Sequence, residues 1–284
     1  MRFETIDDPA EFLEQAAPLL KDEARHNLML GIAGTLLRSP DLYPDFGLYL
    51  VSSDDGPQAA ALMTRPHYLV VADAIDGPAV EALVDGLVAA DVSYPGVVGN
   101  RPTIDQLVVL MEERAALRSR LAMAQGVFAI ENVDCTGVDV PGEARIAGSE
   151  DLKLVVSWMG DFLAEALPEE PTEEDQIRDG ATRTLAGTRP AAYWLWTREG
   201  QPVSMSRYGS PTGRGIRITS VYTPPEHRGN GYATALVAEQ SSWLLANDYD
   251  FCFLYTDLAN ATSNAIYERI GYRKVAESAN YLVD

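Results

Sequence analysis

The sequence predicts an α/β fold in which mixed, largely antiparallel sheets are flanked by helices. Residues 49–63 and 193–205 each read as a β-hairpin, because β-forming side chains flank a turn made of an acidic residue and a glycine. Each hairpin is followed by another strand-like run and then by a helical pattern. In the first half the strand-like run is 68–72 and the helical pattern is 79–90; in the second half they are 216–222 and 231–246. The shared order of hairpin, strand and helix favours two related domains over coincidence.

The boundary between the halves is predicted in the turn-rich, weakly periodic segment 132–142. We therefore expect one domain at residues 1–135 and another at 143–284. The acidic, proline-containing segment 168–175 is interpreted as a loop inside the second domain. It separates predicted helices at about 149–165 and 173–186.

The composition restricts the classes of partner. The chain has 284 residues, 46% of them hydrophobic, and a formal net charge of −20, so we expect no nucleic-acid partner. An anionic cofactor would need local positive groups or amide dipoles to bind against this field. Two explanations of the charge stay open, namely solubility and the attraction of a cationic amine substrate.

The cysteines, the histidines and the N-terminus predict a cytoplasmic protein with no metal and no membrane partner. Cys252 lies in the apolar run 251–255, far in sequence from Cys135, so we expect it to be a buried free thiol. The three histidines are isolated and form no metal-ligand pattern. The N-terminus has no apolar signal core, and no run approaches the length of a membrane span.

Residues 219–234 have the pattern of an anion-binding loop. A strand-like run ends at two prolines, a loop containing Gly229 and Gly231 follows, and a helical pattern begins at once. Glycine permits positive φ and lets the backbone approach a phosphate closely. The helix amides and dipole would hold a diphosphate, to which Arg228 adds a positive charge. The alternative is an ordinary strand-to-helix turn without a ligand, because short glycine motifs recur by chance.

A second pattern lies at residues 257–272. Asn260 and Tyr267 are two helical turns apart, so they are predicted to share one face of a short helix that ends at Gly271. This arrangement would place an amide and a phenol along one side of a cofactor. The alternative makes Asn260 a helix cap and Tyr267 a core residue.

Together the two patterns resemble the GNAT acetyltransferase superfamily. The spacing Arg228-x-x-Gly231-x-Ala233 is similar to its acyl-coenzyme A signature. The run Asn-x-x-Ser-x-x-x-Tyr-Glu-x-x-Gly-Tyr, which begins at Asn260, is similar to its second conserved element in type, order and separation. The resemblance covers roughly residues 144–284. Within the superfamily it is closest to the FR47-like predicted acetyltransferases, which often have a degenerate first half.

The resemblance implies acetyl-coenzyme A as cosubstrate and assigns roles to individual residues. Main-chain groups for the pantetheine arm and the thioester carbonyl would come from Val221, Tyr222 and Thr223. The pyrophosphate would be wrapped by Arg228, Gly229, Asn230, Gly231, Tyr232, Ala233 and Thr234. Asn260 would bind the pantetheine, and Tyr267 would protonate the departing thiolate, since a phenol with a pKa near 10 can donate to a thiol near 8.5.

Two positions depart from the family pattern. His227 stands where the family often has tyrosine, and the strand segment 217–221 lacks the carboxylate that many members use as general base. The identity of the general base is left open. It is another residue, a chain of water molecules, or no group at all if the substrate amine is already neutral.

The predicted function is transfer of an acetyl group to a small-molecule or peptide amine by direct attack on the thioester. Two alternatives are a non-catalytic acyl-coenzyme A sensor and an acyltransferase with a longer acyl donor. Carboxylates on the acceptor side could be Glu165, Glu169, Glu170 and Asp257. The oligomeric state is left open. The first-half loop, residues 73–79, has two aspartates, one glycine and a proline that removes an amide donor, so we expect a degenerate copy without a cofactor loop.

Overall fold

The structure is a computed structural model that describes residues 1–115, 117–166, 172–187 and 190–284. Glu169 and Glu170, two of the predicted acceptor-side carboxylates, lie outside the described residues. The chain forms two compact units. One contains Met1–Phe128, Tyr255–Ala261 and Lys274–Asp284, and the other contains Ala129–Leu254 and Thr262–Arg273.

The elements are numbered in chain order. The strands are β1 (Arg2–Ile6), β2 (Phe46–Ser53), β3 (Gly56–Thr64), β4 (Leu69–Val71), β5 (Gly96–Asn100), β6 (Ser119–Ile130), β7 (Glu143–Ile146), β8 (Ala192–Arg198), β9 (Gln201–Gly209), β10 (Gly215–Tyr222), β11 (Phe251–Asp257) and β12 (Arg273–Val283). The helices are α1 (Pro9–Ala16), α2 (Asn27–Arg38), α3 (Gly77–Ala89), α4 (Thr103–Ala115), α5 (Leu152–Ala166), α6 (Glu174–Leu185), α7 (Tyr232–Asn247) and α8 (Ala261–Arg269). Among the helices of the described chain, none has the length and apolar character that a bilayer crossing requires.

The first unit contains a sheet with the strand order β1-β2-β3-β4-β5-β12. Only β4 and β5 run parallel in this set, and the other neighbours are antiparallel. Strands β2 and β3 bury side chains on both faces, since helices α3 and α4 contribute to one apolar cluster and helices α1 and α2 to another. The C-terminal strand β12 therefore belongs to the sheet of the unit that begins at Met1, where it lies between β5 and β6.

The second unit contains the strand order β7-β8-β9-β10-β11. Neighbours are antiparallel except β10 and β11, which are parallel. Alternation along β8 separates two cores: Tyr193 and Leu195 pack with α5 and α6, whereas Trp194 and Trp196 pack with α7. Helix α7 follows β10 in the chain, and the glycine loop joins the end of that strand to the helix.

The predicted fold class, mixed and mostly antiparallel sheets flanked by helices, is confirmed. Both predicted hairpins are present, as β2–β3 and β8–β9. Helix α7 buries polar residues as well as apolar ones, since Gln240 and Ser241 are fully buried while Trp243 is 39% exposed. The Gln240 side-chain oxygen accepts a hydrogen bond from Ser206, and the Ser241 hydroxyl bonds the Tyr272 hydroxyl, which offsets part of the cost of burying them.

Candidate active site

The site begins where β10 and its parallel neighbour β11 stop pairing. The ladder between β10 and β11 joins Gly215–Arg217 to Phe251–Phe253, and β10 continues to Tyr222. On its other side, the register with β9 shifts between Thr219 and Tyr222, and Ser220 has a φ of +52°. This is the geometry of a β-bulge, which turns the strand and re-aims its backbone groups. The last part of β10 is therefore an edge to which an extended ligand can add.

The backbone at this strand end is held by Ser204 on β9. Its hydroxyl donates to the Tyr222 carbonyl at 3.1 Å and lies 2.9 Å from the Thr223 hydroxyl. Tyr222 itself is buried and its ring lies 6.3 Å from that of Trp158 on α5. Val221 and Thr223, the neighbours of Tyr222 among the predicted thioester-binding residues, are only partly buried. The strand end is thus fixed from one side and partly accessible to solvent.

The loop after β10 has the predicted conformation. Pro225–His227 form a single 3₁₀ turn, and Gly229 and Gly231 both have a φ of +79°. The Asn230 amide donates to the carbonyls of His227 and Arg228 at 3.0 and 3.1 Å. The loop is therefore shaped by its two glycines and by a hydrogen-bonded side chain of its own.

Helix α7 begins without a side-chain cap. Gly231 occupies the N-cap position, so no side chain there can accept from the first turn, and the first turn contains no acidic residue. The first amides of a helix have no intrahelical partner, so those of Tyr232, Ala233 and Thr234 point outward as donors. The side chain of Tyr232 is fixed in the core, since it is buried and its hydroxyl accepts a hydrogen bond from Arg198 at 2.9 Å. A rigid set of donors at the positive end of a helix dipole suits a diphosphate.

Arg228 connects the loop to the strand end and to α5. Its Nε donates to the Thr223 carbonyl at 2.8 Å, and its Nη2 lies 2.8 Å from each carboxylate oxygen of Glu165. The guanidinium also lies over the Tyr222 ring, 5.9 Å from its centroid. Arg228 is thus close to the predicted pyrophosphate site but already has an anionic partner.

Asn260 and Tyr267 differ in exposure. Asn260 is exposed and lies one residue before α8, where its N–H donates to the Asp257 carbonyl at 3.0 Å. Tyr267 is buried on α8, with its ring edge-on to Tyr272 at a centroid distance of 5.9 Å. Burial raises the pKa of Tyr267 well above its ordinary value. The phenol therefore stays protonated through the neutral and mildly alkaline range.

The corresponding turn of the first unit is built differently. Asp76 caps α3 by accepting from the Ala79 amide at 2.9 Å, and Pro78 occupies the first turn. Asp73 accepts two hydrogen bonds from Arg25 and lies 3.5 Å from His26. Burial acts to raise the pKa of Asp73, but the bonds to these two residues outweigh it and hold the pKa below its ordinary value. A carboxylate already occupies the position that an anionic ligand would take.

Sequence analysis missed a cavity of about 290 Å³ beside the bulge, on the face of β8–β10 that α5 and α6 cover. Its lining includes Arg207, Arg217 and Thr219. Arg217 and Thr219 are two residues apart on β10, so the sequence could have predicted that one face of this strand is polar. The register that brings Arg207 beside them joins two strands, and no local pattern specifies it. Within the described ranges, no group of three His, Cys, Asp or Glu residues comes together to hold a metal ion.

Residues 154–272 match the sequence model of a family described as the acetyltransferase (GNAT) family. These residues belong to the GNAT family. The match contains the bulged strand, the glycine loop and Tyr267. Members of this family transfer acetyl groups from acetyl-coenzyme A. No curated protein matches the sequence.

Solved structures share the fold over almost the whole chain. A GCN5-related N-acetyltransferase from Kribbella flavida is 16% identical, with 88% of this chain and 93% of that chain covered and a TM-score of 0.58. A tandem GNAT protein from the clavulanic acid biosynthesis pathway is 11% identical, with 99% and 98% covered and a TM-score of 0.62. A Drosophila protein is 12% identical, with 99% and 98% covered and a TM-score of 0.69. At these identities the likeness shows the fold alone.

Proposed function

We propose that this protein is an N-acetyltransferase that binds acetyl-coenzyme A in its second unit and transfers the acetyl group to a small-molecule or peptide amine. One observation carries the proposal: an uncapped helix N-terminus follows two positive-φ glycines at the end of a bulged strand. The pyrophosphate is wrapped by the segment that contains Arg228, Gly229, Asn230, Gly231, Tyr232, Ala233 and Thr234, and the amides of the first helical turn are its donors. The pantetheine arm extends along the exposed end of β10.

The reaction is a direct transfer. A neutral amine attacks the thioester carbon, the C–N bond forms, the C–S bond breaks, and the amine loses a proton to solvent. A backbone N–H of the segment Val221–Thr223 stabilises the developing oxyanion. Tyr267 donates a hydrogen bond to the departing sulfur and supplies the proton of the free thiol, and the phenolate then regains a proton from solvent. Its raised pKa keeps that proton in place but makes complete transfer to a thiolate less favourable than it is for a solvent-exposed phenol.

Two measurements on the full chain test the proposal. Calorimetric titration with acetyl-coenzyme A at modest salt should give one site, and thiol release should depend on added amine. Binding without amine-dependent release would instead indicate a sensor, and faster release from longer acyl donors would indicate another acyltransferase. No heat and no thermal stabilisation by acetyl-coenzyme A would refute the proposal entirely.

A further inference from the structure

The cavity beside the bulge lies next to the predicted thioester position. Thr219 and Ser220 line it, and Val221, the first predicted thioester-binding residue, follows them directly in β10. Helices α5 and α6 close its other side through Met159 and Thr184. A molecule bound here could reach the thioester from the face of the sheet opposite α7. The volume of about 290 Å³ is near the lower end of the range for small-molecule sites.

The register of three strands places the cavity's polar side chains in one row. Arg207 on β9 lies directly opposite Tyr193 on β8 and Thr219 on β10. Arg217 lies opposite Gly209, so it is the diagonal neighbour of Arg207 on the same face. Such diagonal neighbours are about 7–8 Å apart at their backbones, a distance that two arginine side chains can close around one small anion.

The described lining of this cavity contains basic side chains although the chain as a whole is acidic. The protein has 42 acidic and 22 basic residues, yet the described lining includes two arginines, several hydroxyl groups and no acidic side chain. Arg207 is also held in place, because its guanidinium lies over the Tyr193 ring at 5.9 Å from the centroid. Two guanidinium groups and neighbouring hydroxyls form a typical recognition site for a carboxylate.

We infer that the acceptor is a primary amine that also carries a carboxylate, which Arg207 and Arg217 bind while the amine faces the thioester. The inference rests on the proposed function and adds the class of substrate. Of the two explanations of the net charge, it favours solubility over the attraction of a cationic amine substrate.

The test compares matched acceptors. Alanine, leucine and phenylalanine are assayed with acetyl-coenzyme A beside their amides and their decarboxylated amines. We expect the KM of the best amino acid to be at least about tenfold below that of its amide, because the amide lacks the negative charge and one of the two acceptor oxygens of the carboxylate. Equal use of the three forms, or acetylation of none of the amino acids by protein that binds acetyl-coenzyme A, would overturn the inference.

Substitutions test whether the two arginines cause the preference for a carboxylate-bearing acceptor. Arg207→Gln and Arg217→Gln should each raise the KM for the amino acid on the order of 10- to 100-fold, with little change for the decarboxylated amine. The corresponding lysine variants should recover part of the loss. Arg214→Gln is the charge-matched control, since Arg214 is exposed on the turn before β10 and pairs with Asp250. An equal loss with both acceptors would reduce the arginines to a structural role and refute the inference.

Two further comparisons test whether the arginines bind an anionic group other than an acceptor carboxylate. Taurine and O-phosphoethanolamine are compared with β-alanine, and succinyl-coenzyme A with acetyl-coenzyme A. Preference for the sulfonate or phosphate, or an arginine dependence that follows the succinyl donor, would contradict a carboxylate-bearing acceptor. Calorimetry with acetyl-coenzyme A separates failure of the proposed function from failure of the inference. If acetyl-coenzyme A does not bind, the proposed function fails. If it binds but acceptors without a carboxylate are used equally well, only the inference fails.

Discussion

The Nη2 atom of Arg228 lies 2.8 Å from both carboxylate oxygens of Glu165. Both side chains are about half exposed, so this ion pair contributes little to the stability of the fold. Its importance lies in the proposed cofactor site. The pair keeps a cation next to the glycine loop of a strongly acidic protein, and the anionic partner must be displaced or shared when a diphosphate binds.

We expect Glu165→Gln to tighten binding of coenzyme A by about threefold at low salt, because it removes a competing anion from Arg228. Arg228→Gln should weaken binding by about tenfold, and both effects should shrink as salt is raised. Calorimetry at two salt concentrations measures them. Glu174→Gln, which removes a charge paired with Arg178 on α6, is the control. Identical affinities for all four proteins would show that the pair does not affect the cofactor.

The loop glycines allow backbone strain to be separated from ligand contact. Gly229 and Gly200 have a φ of +79° and +77°, and an added Cβ would meet no described atom within 4 Å at either position. Alanine at each should lower the free energy of unfolding by about 1–2 kcal/mol. Only Gly229→Ala should also weaken coenzyme A binding, by about tenfold, because its Cβ fills the space that the diphosphate needs. Urea unfolding and calorimetry measure the two quantities, and equal affinities would place the phosphates elsewhere.

Much of this site could be predicted locally, because its parts are contiguous in sequence. The glycine loop, the start of α7 and the end of α8 near Gly271 follow from residue types with strong local preferences. The cavity arginines could not be found in the same way. Arg207 and Arg217 become neighbours only through the register of β9 with β10, which includes a bulge. The burial of Gln240 and Ser241 on α7 likewise depends on partners far away in the chain.

The capped turn of the first unit should not bind coenzyme A. Asp76→Ala removes the hydrogen bond to the Ala79 amide and should lower the free energy of unfolding by about 1 kcal/mol. It should leave one coenzyme A site per chain, because Pro78 still lacks an amide donor there. Asp8→Ala, which removes the equivalent cap of α1, is the comparison. A second coenzyme A site in the Asp76 variant, detected by calorimetry, would contradict a degenerate first half.

The two cysteines should differ sharply in reactivity. Cys135 is exposed, whereas Cys252 is fully buried and burial raises its pKa to about 12. Since the thiolate is the reactive form, an aromatic disulfide reagent at pH 8 should label one thiol in the native protein and two after unfolding in urea. Cys135→Ser should give no native labelling. Rapid labelling of that variant would show that the strand carrying Cys252 opens readily.

Tyr267 and Tyr272 offer a matched pair of buried phenols. Tyr267→Phe should lower turnover by roughly tenfold to a thousandfold and leave coenzyme A affinity nearly unchanged, because the phenol acts on the departing sulfur. Tyr272→Phe removes a hydrogen bond with Ser241 at 2.8 Å, so it should cost about 1 kcal/mol of stability and leave turnover intact.

The pH dependence of turnover tests the same assignment from another direction. Because burial raises the pKa of Tyr267 above its ordinary value near 10, its proton is retained below that pH and is lost only beyond it. The rate should therefore not fall between pH 8 and 10 through ionisation of this phenol. Stability should decrease as the pH rises above about 10, since the unfolded chain then ionises its tyrosines first. A decline in rate near pH 9 that is present in the native protein and absent in Tyr267→Phe would mean that the phenol titrates as if exposed.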